Sequence, residues 1–99
     1  YDTISYIQQF HFDMVFMGAG AINADYGFMD FEEDEARIRQ VLLKQTSRSV
    51  MLSDHSKFGK VGNVITAPFA RVHTLITDRR PPENITQAVA AEELEILHG

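Results

Sequence analysis

The chain has 99 residues and carries 14 acidic against 9 basic side chains, a formal charge of -5 with histidine neutral. That length fits one domain, which if complete buries roughly 60 to 70% of its unfolded surface. The acidic balance argues against sequence-independent attraction to a phosphate backbone. With no cysteine, disulfide scaffolds and thiolate metal sites are excluded. No apolar stretch approaches membrane-spanning length and nothing resembles a signal peptide, so a soluble, cytoplasmic protein is expected.

The chain starts at Tyr1 rather than Met, and residues 3–10 read as the end of a helix with Ile4, Ile7 and Phe10 on one side. A fragment of a longer protein is therefore expected. His11 to Met17 is short, apolar and followed by Gly18-Ala19-Gly20, which predicts a buried strand running into a loop. Asp30 is expected to cap a helix over residues 31–46, with Glu33 three residues on in a capping-box arrangement. Ile38, Val41, Leu42 and Gln45 form its stripe. Glu33 with Arg37 and Glu35 with Arg39 are spaced to pair on its solvent side.

Residues 49–53 predict a second strand, residues 59–68 an irregular connection with a short strand at 63–66, and residues 72–77 a third strand. Pro81-Pro82 precedes a helix over 83–91, and residues 94–97 make a last strand. Helices alternating with apolar strands predict a single α/β domain, a three-layer fold with a mostly parallel sheet.

Three strand ends carry polar or glycine-rich loops, which is where α/β sheets present groups to ligands. Gly18 and Gly20 permit close backbone approach to an anionic or hydroxylated ligand, although the same residues suit an ordinary strand exit and lack dinucleotide-binding spacing. Asp54, Ser56 and Lys57 leave the second strand, and Asp78 leaves the third. Lys57 suits a phosphate as a point charge, against the commoner role of a solvated surface lysine. Asp78 suits either the same pocket or a turn before the double proline. Asp54-His55-Ser56 is a contiguous run, not the spatial geometry of a catalytic triad. His11, His55, His73 and His98 lack metal-ligand spacing, and no metal or cofactor is expected. Glu32-Glu33-Asp34-Glu35 suits a solvated helix start.

In order along the chain, Asp13-Met14-Val15-Phe16-Met17-Gly18-Ala19-Gly20-Ala21-Ile22, Gly27, Glu35-Ala36 with Arg39, Asp54-His55-Ser56-Lys57-Phe58-Gly59 and Leu75-Ile76-Thr77-Asp78 resemble the C-terminal effector-sensing domain of DeoR-family transcriptional regulators. The most specific element is the Asp-x-Ser-Lys-Phe-Gly loop. The resemblance implies a domain similar in fold to ribose-5-phosphate isomerase, binding a phosphorylated sugar, with an N-terminal winged helix-turn-helix on operator DNA. That DNA-binding domain lies outside residues 1–99, which would form a partial effector-binding domain. It places Gly18 and Gly20 beside the sugar and Asp54, Ser56, Lys57 and Asp78 at or near the pocket mouth. Phe28-Met29-Asp30 departs from the family's Thr-containing stretch after the glycine at 27, and the upstream phosphate loop is absent.

The resemblance implies a repressor of sugar metabolism acting as a homo-oligomer. Two alternatives stand beside it. A sugar-phosphate isomerase shares the fold, but the isomerases carry an Asp-Gly-Ala-Asp-Glu run where this chain has Gly18-Ala19-Gly20-Ala21-Ile22, and proton abstraction needs a positioned base. The other alternative is an oligomerisation module that binds no ligand.

Overall fold

The computed structural model describes residues 2–99. A short helix, α1 (Asp2–Ile7), leads into β1 (Phe12–Gly18); β2 (Ala21–Asn23) and β3 (Gly27–Asp30) precede α2 (Glu33–Lys44). Then follow β4 (Thr46–Ser53), β5 (Val64–Ala67), β6 (Thr74–Thr77), α3 (Glu83–Ala90) and β7 (Glu95–His98). Four strands form one sheet in the order β1-β4-β6-β7, all parallel, and the others form a three-stranded antiparallel sheet in the order β2-β3-β5. The fold is α/β with a mostly parallel principal sheet, as the alternation of apolar strands and helices implies.

Register explains how the core is made. Met17, Met51 and Leu75 stand side by side on adjacent strands, so the period of two puts them on the same face. That face packs on Ile22 and Phe28 of the smaller sheet, on Phe69, and on Ile85 and Val89 of α3, with Leu42 and Leu43 of α2 at its margin. The rings of Phe28 and Phe69 meet edge to face at 5.3 Å. Burying each such side chain contributes on the order of 1.5 to 3 kcal/mol. The opposite face leaves Met14, Phe16, Leu52 and Leu97 exposed.

In the smaller sheet β5 answers to the short strand expected at 63–66, whereas β2 and β3 are absent from the sequence-based expectation, which assigned Gly18 to Ile22 to a loop. β2 and β3 have three and four residues, every one buried, and therefore show no apolar-polar alternation. Their hairpin is closed by the Asn23 side chain, whose Oδ1 accepts from the Tyr26 amide at 2.8 Å. Gly27 is the first residue of β3 at φ +85, and a Cβ there would lie 2.8 Å from the Ala67 carbonyl oxygen.

Asp30 requires a correction. It is not the cap of α2: Glu32 occupies that position with extended backbone and no side-chain cap bond. Asp30 is the last residue of β3 and only 1% exposed. Its Oδ1 accepts from the Arg39 guanidinium at 2.6 Å and from the Gly20 amide at 3.2 Å, while the Thr66 hydroxyl donates to its Oδ2. Arg39 is correspondingly not a solvent-side residue paired with Glu35 alone; that contact is 3.5 Å and secondary. The spacing of acids and bases in α2 suits a solvated face, but a carboxylate nine residues upstream competes for the guanidinium through tertiary contact.

Replacing Asp30 by Ala removes the acceptor for three donors, on α2, on β5 and in the loop before β2, and leaves a mostly buried guanidinium uncompensated. Urea unfolding is expected to show a loss of about 3 to 5 kcal/mol, against no more than about 1 kcal/mol for an exposed pair such as Arg80 with Glu83. Gly27→Ala is expected to cost more than about 1 kcal/mol in the same assay, from its backbone conformation and the close carbonyl.

Candidate ligand site at the carboxyl edge of the sheet

Because β1, β4, β6 and β7 are parallel and in register, their carboxyl ends Gly18, Ser53, Thr77 and His98 lie along one edge. The loops that leave this edge carry Gly18, Asp54, Ser56, Lys57 and Asp78, so five of the six expected site residues share it. Gly20 lies two residues beyond β1. Its amide donates to the Met29 carbonyl at 3.0 Å and to Asp30, joining it to the smaller sheet.

After β4, residues His55–Lys57 form one 3-10 turn. Asp54 caps it: its Oδ1 accepts from the Ser56 amide at 2.9 Å and from the Ser56 hydroxyl. Hydrogen bonds from Ser56, assisted by nearby Lys57, hold the Asp54 carboxyl below its ordinary value. The turn is then fastened to β2. Gly59, at φ +84, brings its amide within 2.8 Å of the Ile22 carbonyl oxygen, and the Asn23 side chain donates to the Lys60 carbonyl at 2.9 Å. Phe58 packs against the core. The Ser-Lys-Phe-Gly run thus has a physical logic: an apolar anchor and a left-handed glycine fix the segment that presents Lys57.

Asp78 clamps the same turn from β6. Its Oδ1 accepts from the His55 amide at 2.8 Å, and its Oδ2 lies 2.7 Å from His55 Nδ1. The His55 side chain is the principal cause holding the Asp78 carboxyl below its ordinary value. Sequence spacing assigned His55 no role, since only the adjacency of β4 and β6 brings residues 23 apart together.

Asp54 and Asp78 are therefore engaged in shaping the edge. Lys57 is half-buried and makes no ion pair among the described residues. Its ammonium is a cation available there to an anionic ligand. Among the described residues no three potential metal ligands converge.

Both carboxylates have folded-state values below the unfolded ones, so their stabilising contribution is complete above the ordinary carboxylate range. It is lost as pH falls through the depressed values. His55→Ala is expected to move the Asp78 carboxyl titration, followed by NMR, upward toward an ordinary aspartate while leaving Asp54 low.

The model of the DeoR C-terminal sensor domain matches residues 1–79. The glycerol-3-phosphate regulon repressor of Escherichia coli is 26% identical over 95% of this chain and 37% of its own length. The transcriptional regulator GlpR of Haloferax volcanii is 30% identical over 96% of this chain and 37% of its own length. The regulator GolR of Listeria innocua is 31% identical over 75% of this chain and 29% of its own length. The chain spans a little over a third of the first two of these relatives. Matched over most of its length by that model, the chain belongs to the DeoR C-terminal sensor domain family.

Proposed function

We propose that the chain is the effector-sensing part of a DNA-binding transcriptional regulator, a repressor of sugar metabolism, and that it binds a phosphorylated sugar at the carboxyl edge of its parallel sheet. The observation that carries this proposal is Lys57, held on a doubly fastened turn at the edge where open α/β sheets take ligands. An ammonium is a normal phosphate partner. Gly18 lets the ligand approach the backbone of the neighbouring strand end, with Gly20 on the loop beyond it. Asp54, Ser56 and Asp78 shape the turn that presents the lysine.

Binding is not expected to lead to turnover. The loop after β1 holds Gly18-Ala19-Gly20 and supplies no carboxylate at the position where the isomerases hold theirs. Regulation follows if the phosphosugar favours one arrangement of the domain over another and so alters how upstream DNA-binding heads meet a symmetric operator. A homo-oligomer is the natural carrier of paired heads. A cytoplasmic location agrees with this role, and no described helix is long and apolar enough to cross a membrane.

The test is a thermal-shift screen of the intact protein with glycerol-3-phosphate, pentose phosphates, hexose phosphates and their unphosphorylated counterparts, with isomerase turnover assayed on every hit. Stabilisation by a phosphosugar without turnover is expected. Lys57→Ala should weaken that ligand by roughly 10- to 100-fold, the loss of a charge-assisted hydrogen bond, with an unchanged oligomer mass. Turnover, or an unaltered affinity in the variant, would contradict the proposal.

A further inference from the structure

The Asp30–Arg39 pair does more than fasten α2. Asp30 holds one nitrogen of the guanidinium, Nη1, at 2.6 Å, and Glu35 approaches the same nitrogen at 3.5 Å. The Nε and Nη2 hydrogens of Arg39 take no partner among the described residues, and the side chain is one quarter exposed. It borders an open cleft of about 340 Å3 between α2 and β1, lined also by Phe16, Gly18, Glu35 and Ile38. Gly18 is the carboxyl end of β1, so this cleft adjoins the edge that presents Lys57.

The chemistry of the lining selects a ligand class. A guanidinium already compensated by Asp30, with a second carboxylate on Glu35, is a poor cradle for an anion. It is a good one for vicinal hydroxyls: the spare N–H groups donate to hydroxyl oxygens, and Glu35 accepts hydroxyl protons. Phe16 is exposed at 61% and offers a ring whose negative face suits the polarised C–H groups of a sugar. The volume lies at the lower end of small-ligand sites. Because Asp30 is buried and bound by three donors, the guanidinium is fixed before any ligand arrives, which reduces the ordering cost of binding.

We infer that the cleft bounded by Phe16, Gly18, Glu35 and Arg39 is a polyol subsite that reads the hydroxyl pattern of the effector while Lys57 takes its phosphate. The inference rests on the proposed phosphosugar function of the carboxyl edge. Glu35 and Phe16 are the informative positions, because both are exposed and neither is part of the core, whereas changes at Arg39 disturb the buried Asp30.

Titration calorimetry on the intact protein compares inorganic phosphate with glycerol-3-phosphate, pentose phosphates and hexose phosphates, for the unaltered protein and for Glu35→Gln, Phe16→Ala and Lys57→Ala. Glu35→Gln and Phe16→Ala should each weaken the preferred phosphosugar about tenfold, a change of about 1.4 kcal/mol. Inorganic phosphate affinity should stay unchanged or rise slightly, and the melting temperature should hold. Lys57→Ala should weaken both classes of ligand. If Lys57→Ala weakens both while the cleft variants bind the phosphosugar as the unaltered protein does, the polyol subsite is overturned and the phosphate site survives. Equal losses for phosphosugar and inorganic phosphate in the cleft variants would also overturn it. If only the cleft variants lose phosphosugar, the subsite stands and Lys57 is not the phosphate partner. Binding of no phosphosugar by the intact protein would overturn both.

Discussion

Asp30 lies at the meeting point of the smaller sheet and α2, and its carboxylate joins them. It accepts one hydrogen bond from the Gly20 amide before β2, one from the Thr66 hydroxyl on β5 and one from Nη1 of Arg39 on α2. A buried ion pair seldom adds net stability over an apolar replacement, but once present it makes any other placement of its partners costly. Here it ties α2 to the end of β3. The same Arg39 borders the cleft beside Gly18.

The carboxyl edge is held by a second, more exposed set of contacts. Asp78 grips the turn after β4 through the amide and ring of His55, and Gly59 and Asn23 tie its far side to β2. Two carboxylates that look available to a ligand in the sequence are thus occupied in shaping the loop, and the ammonium of Lys57 makes no ion pair among the described residues. On the proposed reading the acids position the loop, the lysine offers charge to the ligand, and the guanidinium with Glu35 offers directional hydrogen bonds.

The four parallel strands and the two longer helices were legible from apolar runs, glycine exits and the double proline, with no bound shifted by more than three residues. Of the smaller sheet only β5 was, because β2 and β3 are short and buried throughout, and burial on both faces erases the alternation that marks a strand. Asp30 misled for a related reason. An acid before a helical stripe is a good cap by local chemistry, and only tertiary structure brings Thr66 and Arg39 to compete for it. Residues at strand ends were legible because topology alone places them on one edge. The partnership of His55 with Asp78 was not, since it depends on which strands are neighbours.

The most direct test of the proposed sensing is the affinity of the intact protein for its operator DNA, measured by fluorescence anisotropy at fixed salt with and without any phosphosugar that stabilises it. Sensing predicts a change of roughly 5- to 150-fold, the usual span of an allosteric coupling, with the phosphosugar recovered chemically unchanged. A phosphosugar that binds at the carboxyl edge yet leaves operator affinity as it was would contradict the account, because equal affinity for both states shifts neither.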